Sequence, residues 1–380
     1  MHPYTEVISS QPALLPRRSF RQMARLVRIL YRLSRNPAYR AKLWPELPEI
    51  AQFDPGHDAL MMGYDFHQTA AGPRLIEVNT NAGGWLPALL ACHGEAVLNP
   101  ATLPPRARAR LLGPFREELR AWNGGRPRQP TALAIIDEQP EAQFLYGEMA
   151  YCRQLLAEAW KVPVALVDVA ELTAGTEGVR HGGDKIELIY NRHCDFYLEN
   201  PALAGLRAAY RTGTVCLSPN PFAYGLLADK RRLTLWSDGE ALAELGLAAE
   251  ERRLLTELVP FSRLLADLDR QSLWREKKNW VFKPVTRFGS QGVLLGAKIT
   301  RGRFDLLDPQ GTLVQRHVPP SLTGGGELPE MKTDFRLYAY RDRVLGVTAR
   351  LYRGQLTNLR TVGGGFAPVI LTRDEKGPGR

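Results

Sequence analysis

The stretch Leu75-Ile76-Glu77-Val78-Asn79-Thr80-Asn81-Ala82-Gly83-Gly84 limits the fold more tightly than any other part of the sequence. It opens as an apolar strand and breaks at paired glycines. Successive side chains of a strand point to opposite faces, so Glu77 and Asn79 share one. A carboxylate and an amide oxygen then stand side by side, both hard donors of the kind Mg²⁺ takes together with phosphate oxygens. The glycines let the backbone turn sharply and come close to a ligand. The competing reading is an edge strand ending in a polar turn, because Asn and Gly are common turn formers.

The chain has 380 residues, enough for two or three compact units, and its 44% hydrophobic and 24% charged composition is that of a globular protein. No run of about 18 apolar residues occurs, so no membrane span is expected. The opening Met1-His2-Pro3-Tyr4-Thr5-Glu6 lacks the charged-then-apolar layout of a secretion signal. Cys92, Cys152, Cys194 and Cys216 form no C-x-x-C pair, which argues against a zinc site or a disulfide framework and for a reduced, cytoplasmic setting. The net charge of +10 fits a nucleic-acid partner. No dense Lys/Arg block with interleaved aromatics appears, however, so such a partner is disfavoured. An anionic nucleotide or acidic substrate accounts for the same charge, and homo-oligomerisation stays open.

Residues 17–47 read as a basic amphipathic helix, with Phe20, Met23, Leu26, Val27, Ile29, Leu30 and Leu33 at helical spacing and Pro45 and Pro48 ending it. Residues 59–68 and 74–78 read as two strands joined by a turn. A helix over 106–122 precedes a linker-like Asn123-Gly124-Gly125-Arg126-Pro127. An α/β passage follows, with strands at 131–137 and 162–167 around a helix near 143–160, which favours a parallel sheet. No G-x-G-x-x-G joins its first strand to its helix, so a dinucleotide site is not supported. A further strand at 186–190 ends in Asn191-Arg192-His193-Cys194-Asp195. The carboxyl end of such a strand is where open α/β sheets place ligands, although Arg192 and Asp195 could equally be a local ion pair.

A helix over 226–236 carries Lys230. The strand Trp280-Val281-Phe282-Lys283-Pro284 sets a lysine directly before a loop that contains Gly289, Ser290 and Gly292. Backbone amides of such a loop can wrap phosphate oxygens, though most glycine loops are merely turns. A strand at 312–315 runs into Arg316 and His317. Residues 332–340 and 344–351 form a hairpin whose alternation (Phe335, Leu337 and Ala339 against Asp334, Arg336 and Tyr338) suits an antiparallel sheet with one buried face. Gly363, Gly364 and Gly365, shortly after Arg360, suggest a mobile flap able to exclude water.

Taken together, Lys230, the 281–284 strand with its glycine loop, Leu313-Val314-Gln315-Arg316, Asp334-Phe335-Arg336 and the E-x-N-T-N signature at 77–81 resemble an ATP-grasp enzyme. In the common arrangement that signature follows the lysines, and here it precedes them. This order is similar to that of the circularly permuted ATP-grasp ligases, which include eukaryotic-type glutathione synthetase and glutathionylspermidine synthetase. The similarity covers about residues 58–370.

The resemblance implies a mixed α/β and α+β chain with a circularly permuted ATP-grasp fold and a Rossmann-like α/β substrate domain. Residues 1–57 would be an N-terminal helical segment and 58–125 the permuted segment with the metal-binding strand. Residues 126–222 would be the substrate domain, and 223–380 the nucleotide-binding subdomains and flap. Lys230 and Lys283 would hold ATP phosphates under Gly289, Ser290 and Gly292. Val314, Gln315, Arg316 and His317 would meet adenine, with Asp334 on the nucleotide side. Glu77 and Asn79 would bind Mg²⁺. Arg360 and Arg336 would act on the reacting groups, with Phe366 and Ala367 in the flap, and Asn81, Gln143 and Arg192 would contact substrate.

Two departures stand out. Glutathione synthetase carries a metal-binding glutamate shortly after its glycine-loop lysine, where this chain has Val285, Thr286, Arg287 and Phe288. The arginine preceding the early strand's aspartate is also absent from Met61-Met62-Gly63-Tyr64-Asp65, so a glutathione-precursor pocket is not expected. The implied activity is an ATP-dependent carboxylate–amine ligase acting on small molecules through an acyl phosphate. The alternatives are a small-molecule kinase on the same fold and a non-catalytic nucleotide- or nucleic-acid-binding protein.

Overall fold

The structure, a computed structural model, describes residues 4–286, 292–326, 328–354 and 361–374. Its centre is an antiparallel sheet in which strands distant in sequence lie side by side. From one edge the order is Gly365–Ala367, Arg343–Tyr352, Leu328–Tyr340, Met62–Thr69 and Gly72–Asn79, with Ser321–Gly325 also paired to Leu328–Tyr340. The expected hairpin of residues 332–351 is present and longer than its alternation suggested. Phe335, Leu337 and Ala339 share a core with Met23, Leu26, Val27 and Leu30 of the helix Arg17–Ser34. The other face carries Asp334, Arg336 and Tyr338, as period-2 alternation requires.

Register places chemistry in rows. Glu77 lies opposite Asp65, and Asp65 lies opposite Arg336. In the next row Asp334 lies opposite Arg350. Between Asp65 and Phe66 the pairing with Gly72–Asn79 slips by one residue, so that Glu77 and Leu75 have partners and Ile76 is the extra residue of a bulge. A bulge leaves that residue outside the ladder, and the Ile76 carbonyl is used elsewhere.

A second antiparallel sheet, in the order Ser262–Leu264, Thr312–Arg316, Trp280–Pro284 and Leu294–Leu295, closes over its own small core of Phe282, Phe304, Val314 and Leu273. A third sheet is wholly parallel, in the order Cys216–Ser218, Leu188–Asn191, Leu133–Asp137 and Val164–Asp168, with the helix Tyr146–Trp160 making the β-α-β crossover. Among the described residues no helix is long and apolar enough to cross a membrane.

Three expectations need correction, and one small sheet was not foreseen. The 17–47 helix is broken, because the Asn36 side chain accepts from Ala38 N at 2.8 Å and Tyr39 N at 3.4 Å and so caps a new helix, Pro37–Leu43. Proline at its first position suits a helix start rather than an interior. The 226–236 helix is likewise two pieces, Pro221–Leu227 and Arg232–Trp236. Asp229 holds the turn between them, accepting from Arg231 N at 3.0 Å and Tyr197 Oη at 2.8 Å, and Lys230 sits in that turn. Residues 173–186 form a small sheet of three strands that periodicity did not show. Finally, Gly365–Ala367 is an edge strand rather than flap, clasped by the N-terminal segment.

Candidate active site

The two antiparallel sheets face each other across a cavity of about 270 Å³ whose walls include Glu77, Lys283, Gln315, His317, Asp334 and Arg350. Lys283 stands at its base, 5% exposed. Its Nζ donates to the Ile76 carbonyl at 2.9 Å and to Gln315 Oε1 at 2.7 Å. The bulge frees the first acceptor; the second is positioned by the Gln315 amide, which donates to Ser262 Oγ at 3.3 Å. Burial pushes the Lys283 pKa down to about 8; Glu77 opposes the shift and Lys230 adds to it. A lysine so poised gains most from an anion arriving in the cavity.

Beside it lies a buried charge network. Arg336 grips Asp65 with Nε–Oδ1 and Nη2–Oδ2 hydrogen bonds of 2.6 Å each. Arg350 donates to Asp334 Oδ1 at 2.5 Å and lies 3.0 Å from Asp65 Oδ2. Burial alone would raise the Asp65 pKa, but the two guanidiniums hold it well below the usual carboxylate range. Arg336 also donates to the Gly83 carbonyl at 3.1 Å, where Tyr338 Oη donates at 3.2 Å. The glycine turn after Asn79 is thereby fixed to the sheet.

Glu77 and Asn79 do share a face, with Asn79 Nδ2 3.3 Å from both Glu77 Oε1 and Asp65 Oδ2. Among the described residues no group of three or more His, Cys, Asp or Glu is arranged to hold a metal ion. A carboxylate with one amide carbonyl nevertheless fits Mg²⁺, which keeps several waters and takes much of its shell from substrate phosphates.

The other candidates fall into distinct places. Gln315, Arg316 and His317 border the cavity, whereas the Val314 side chain belongs to the core on the opposite face of its strand. Gly292, at φ +72°, precedes Val293 on the cavity wall. Gly289, Ser290 and Arg360 lie outside the described residues. Asn81 and Arg192 are linked twice, Asn81 Nδ2 donating to the Arg192 carbonyl at 3.1 Å and Arg192 Nη1 to the Asn81 carbonyl. This pair joins the glycine turn to the carboxyl end of the parallel sheet. Gln143 is exposed at that same end, donating to the Glu138 carbonyl at 2.6 Å, and does not border the cavity. Phe366 and Ala367 were expected in a flap against substrate; they are 1% and 0% exposed, and the Phe366 ring lies against Gly84. In this arrangement they shape the turn from behind.

Sequence reasoning missed three groups. Asp65 and Arg350 are central to the charge network, and hairpin alternation would have placed Arg350 on the polar face. Glu148 accepts from Gly84 N at 3.1 Å and Leu86 N at 2.8 Å, capping the helix Trp85–His93 from another element. Nothing local signals that role.

No family model matches the chain, and no curated protein matches its sequence. Solved structures do resemble it. A glutathione synthetase-like effector from Globodera pallida in its apo form aligns with TM-score 0.59 at 10% identity, over 96% of this chain and 90% of that one. A protein of Methylobacillus flagellatus KT, provisionally named gamma-glutamylcysteine synthetase, aligns with TM-score 0.51 at 13% identity, over 92% and 86%. The chain therefore has a fold shared with proteins of the glutathione-synthetase-like type.

Proposed function

We propose that this protein is an ATP- and Mg²⁺-dependent carboxylate–amine ligase on a circularly permuted ATP-grasp fold. The observation that carries the reading is the contact of Lys283 Nζ with the Ile76 carbonyl at 2.9 Å. It brings the late lysine strand and the early Glu77/Asn79 strand to one cavity. On this reading residues 58–125 and 223–380 together form the nucleotide-binding part, 126–222 the substrate domain and 1–57 a helical support, in a cytoplasmic protein.

Lys283 and Lys230 neutralise phosphate charge, and Gln315 to His317 border the base. Bound Mg²⁺ would draw charge from the phosphate oxygens, held by Glu77 and Asn79. A substrate carboxylate oxygen forms a bond to the γ-phosphorus as the bond to ADP breaks. An amine nitrogen then bonds to the acyl carbon, phosphate departs with the C–O electron pair, and the amine proton passes to solvent. Arg360 would meet the charge that develops on the transferred oxygens. Arg336 acts less directly, by holding Gly83 and Asp65.

ADP release that depends on a carboxylate and an amine supports the proposal, and failure to bind nucleotide even with Mg²⁺ ends it. Hydroxylamine distinguishes the kinase reading, because only an acyl phosphate gives a hydroxamate. The absence of an acidic residue in Val285-Thr286-Arg287-Phe288 favours the non-catalytic reading. That reading predicts nucleotide binding without turnover.

A further inference from the structure

Beyond Tyr338, on the polar face of the six-stranded sheet, the helices Trp85–His93 and Pro105–Trp122 stand off from the strand Arg343–Tyr352 and leave a cavity of about 470 Å³. That volume lies in the range of small-molecule sites, which are mostly apolar with a few polar groups. Met61, Trp85, Leu89, Leu111, Tyr338 and Leu345 supply an apolar wall. The buried Trp85 indole N–H has no acceptor among the described residues.

The charge at the mouth has one sign. Arg106 and Arg110 stand a helical turn apart, both exposed and both lining the cavity. Arg110 donates only to the Leu345 carbonyl, at 3.4 Å, and neither arginine has a carboxylate partner among the described residues. None of the described residues lining the cavity is acidic. An apolar chamber under paired guanidiniums suits a ligand with an apolar body and one carboxylate, since the guanidinium fork matches carboxylate geometry.

We propose that this cavity is a second binding site, separate from the nucleotide cavity, for a monocarboxylate carrying an apolar chain or ring. Its wall reaches the glycine turn through Tyr338, which lines the chamber and whose hydroxyl donates to the Gly83 carbonyl at 3.2 Å, and through Met61, whose carbonyl accepts from Ala82 N at 3.0 Å.

Decanoate is a direct probe, with decanol as its uncharged counterpart and acetate as the head group alone. Cys92 lines the cavity and is exposed, Cys194 is half-buried, and Cys152 and Cys216 are buried. Alkylation followed at Cys92 by peptide mapping therefore reports occupancy in the full chain, alongside calorimetric titration. Decanoate is expected to bind saturably and slow Cys92 alkylation, with decanol and acetate each weaker by about tenfold or more. Gly346→Leu should abolish binding, because no atom lies within 4 Å of where its Cβ would go and the side chain would enter the lined space. Arg106→Glu with Arg110→Glu should weaken decanoate by about tenfold or more. These residues are exposed, so that variant reads the site even where Gly346→Leu disturbs its strand. Absence of saturable decanoate binding, equal affinity for decanol, or affinity unchanged by the arginine substitutions overturns the proposal.

Discussion

Arg336 and Asp65 sit opposite each other on adjacent strands that are far apart in the sequence, joined by two hydrogen bonds of 2.6 Å. Arg350 supports the same carboxylate from 3.0 Å. Such a cluster is stable only while complete, because removing the anion leaves the buried Arg336 guanidinium without a carboxylate and Arg350 with Asp334 alone. Asp65→Asn is therefore expected to destabilise the chain by about 3–5 kcal/mol in urea unfolding. The sign with pH follows from the depressed folded pKa: the contribution is full above the ordinary aspartate range and is lost as pH falls through the folded value. Wild-type stability should drop more steeply in acid than that of Asp65→Asn. Parallel acid limbs would show that the pair contributes nothing.

Lys283 provides a second handle. Its pKa falls from 10.5 to about 8, with Glu77, Lys230 and Asp65 as the charged groups that act on it. Between these values the folded chain holds fewer protons than the unfolded one, so stability from this group rises with pH across that window. Phosphate binding needs the charged amine and should run the other way. Nucleotide affinity is expected to weaken as pH rises through about 8. Lys283→Arg, which does not titrate there, should flatten the profile, and Lys283→Ala should weaken binding at every pH. A profile unchanged by Lys283→Arg would remove this lysine from the phosphate site.

Glu77→Gln separates metal chemistry from nucleotide contact. The substitution keeps shape and an oxygen donor but removes the charge that suits Mg²⁺. Turnover should fall by about a hundredfold or more, while nucleotide affinity measured without Mg²⁺ changes little. Equal losses in both measurements would make Glu77 a binding residue only.

Much of this arrangement could be read from the sequence where the signal was local. The two-residue spacing of Glu77 and Asn79, the alternation after Lys332 and the β-α-β passage each follow from periodicity, and all three appear. What was lost depended on partners remote in the chain. Asn36 looked like one more polar residue in a basic helix until its side chain was seen to cap Pro37–Leu43. Asp229 concealed a turn within what reads as continuous helix. Asp65 has no local mark at all, since its meaning comes from the register between Met62–Thr69 and Leu328–Tyr340. Nor could spacing show that Ala13–Pro16 runs parallel to Val369–Thr372. Glycines misled in a different way: Gly363 to Gly365 read as flap, yet the strand Gly365–Ala367 begins with the last of them.

The close packing of Gly84 on Phe366 tests that correction. Gly84 has φ +90°, and a Cβ there would lie 2.2 Å from Phe366 Cζ. Gly84→Ala therefore meets two penalties, the left-handed backbone and the ring. The backbone part alone is worth about 1–2 kcal/mol, and the ring should make the total larger. Shrinking the ring in Phe366→Leu should recover the steric part only, so a double-mutant cycle on unfolding free energy is expected to show favourable coupling of about 1 kcal/mol. Additive effects would mean that the ring does not press on the turn.

The clasp between the two ends of the chain yields the last test. Ser9 N donates to the Phe366 carbonyl at 2.8 Å, Ser9 Oγ to the Gly363 carbonyl at 3.0 Å, and Ala13 N to the Pro368 carbonyl at 2.9 Å. Gly365, at φ +100°, lets the Val7 carbonyl approach so closely that a Cβ would lie 2.1 Å from it. These bonds hold the segment that follows Arg360, so loosening them should change its mobility before it changes global stability. Ser9→Ala removes the bond to the Gly363 carbonyl and the one its Oγ accepts from Gln11 N at 3.3 Å, and is expected to cost about 1–2 kcal/mol. Amides over residues 361–367 should exchange faster by about fivefold while those of Leu133–Asp137 stay as in the wild type. If the segment limits turnover, kcat should shift with that exchange rate and nucleotide affinity should not. Uniform acceleration across both regions would instead mean that Ser9 contributes to global stability alone, with no particular hold on the segment beside Arg360.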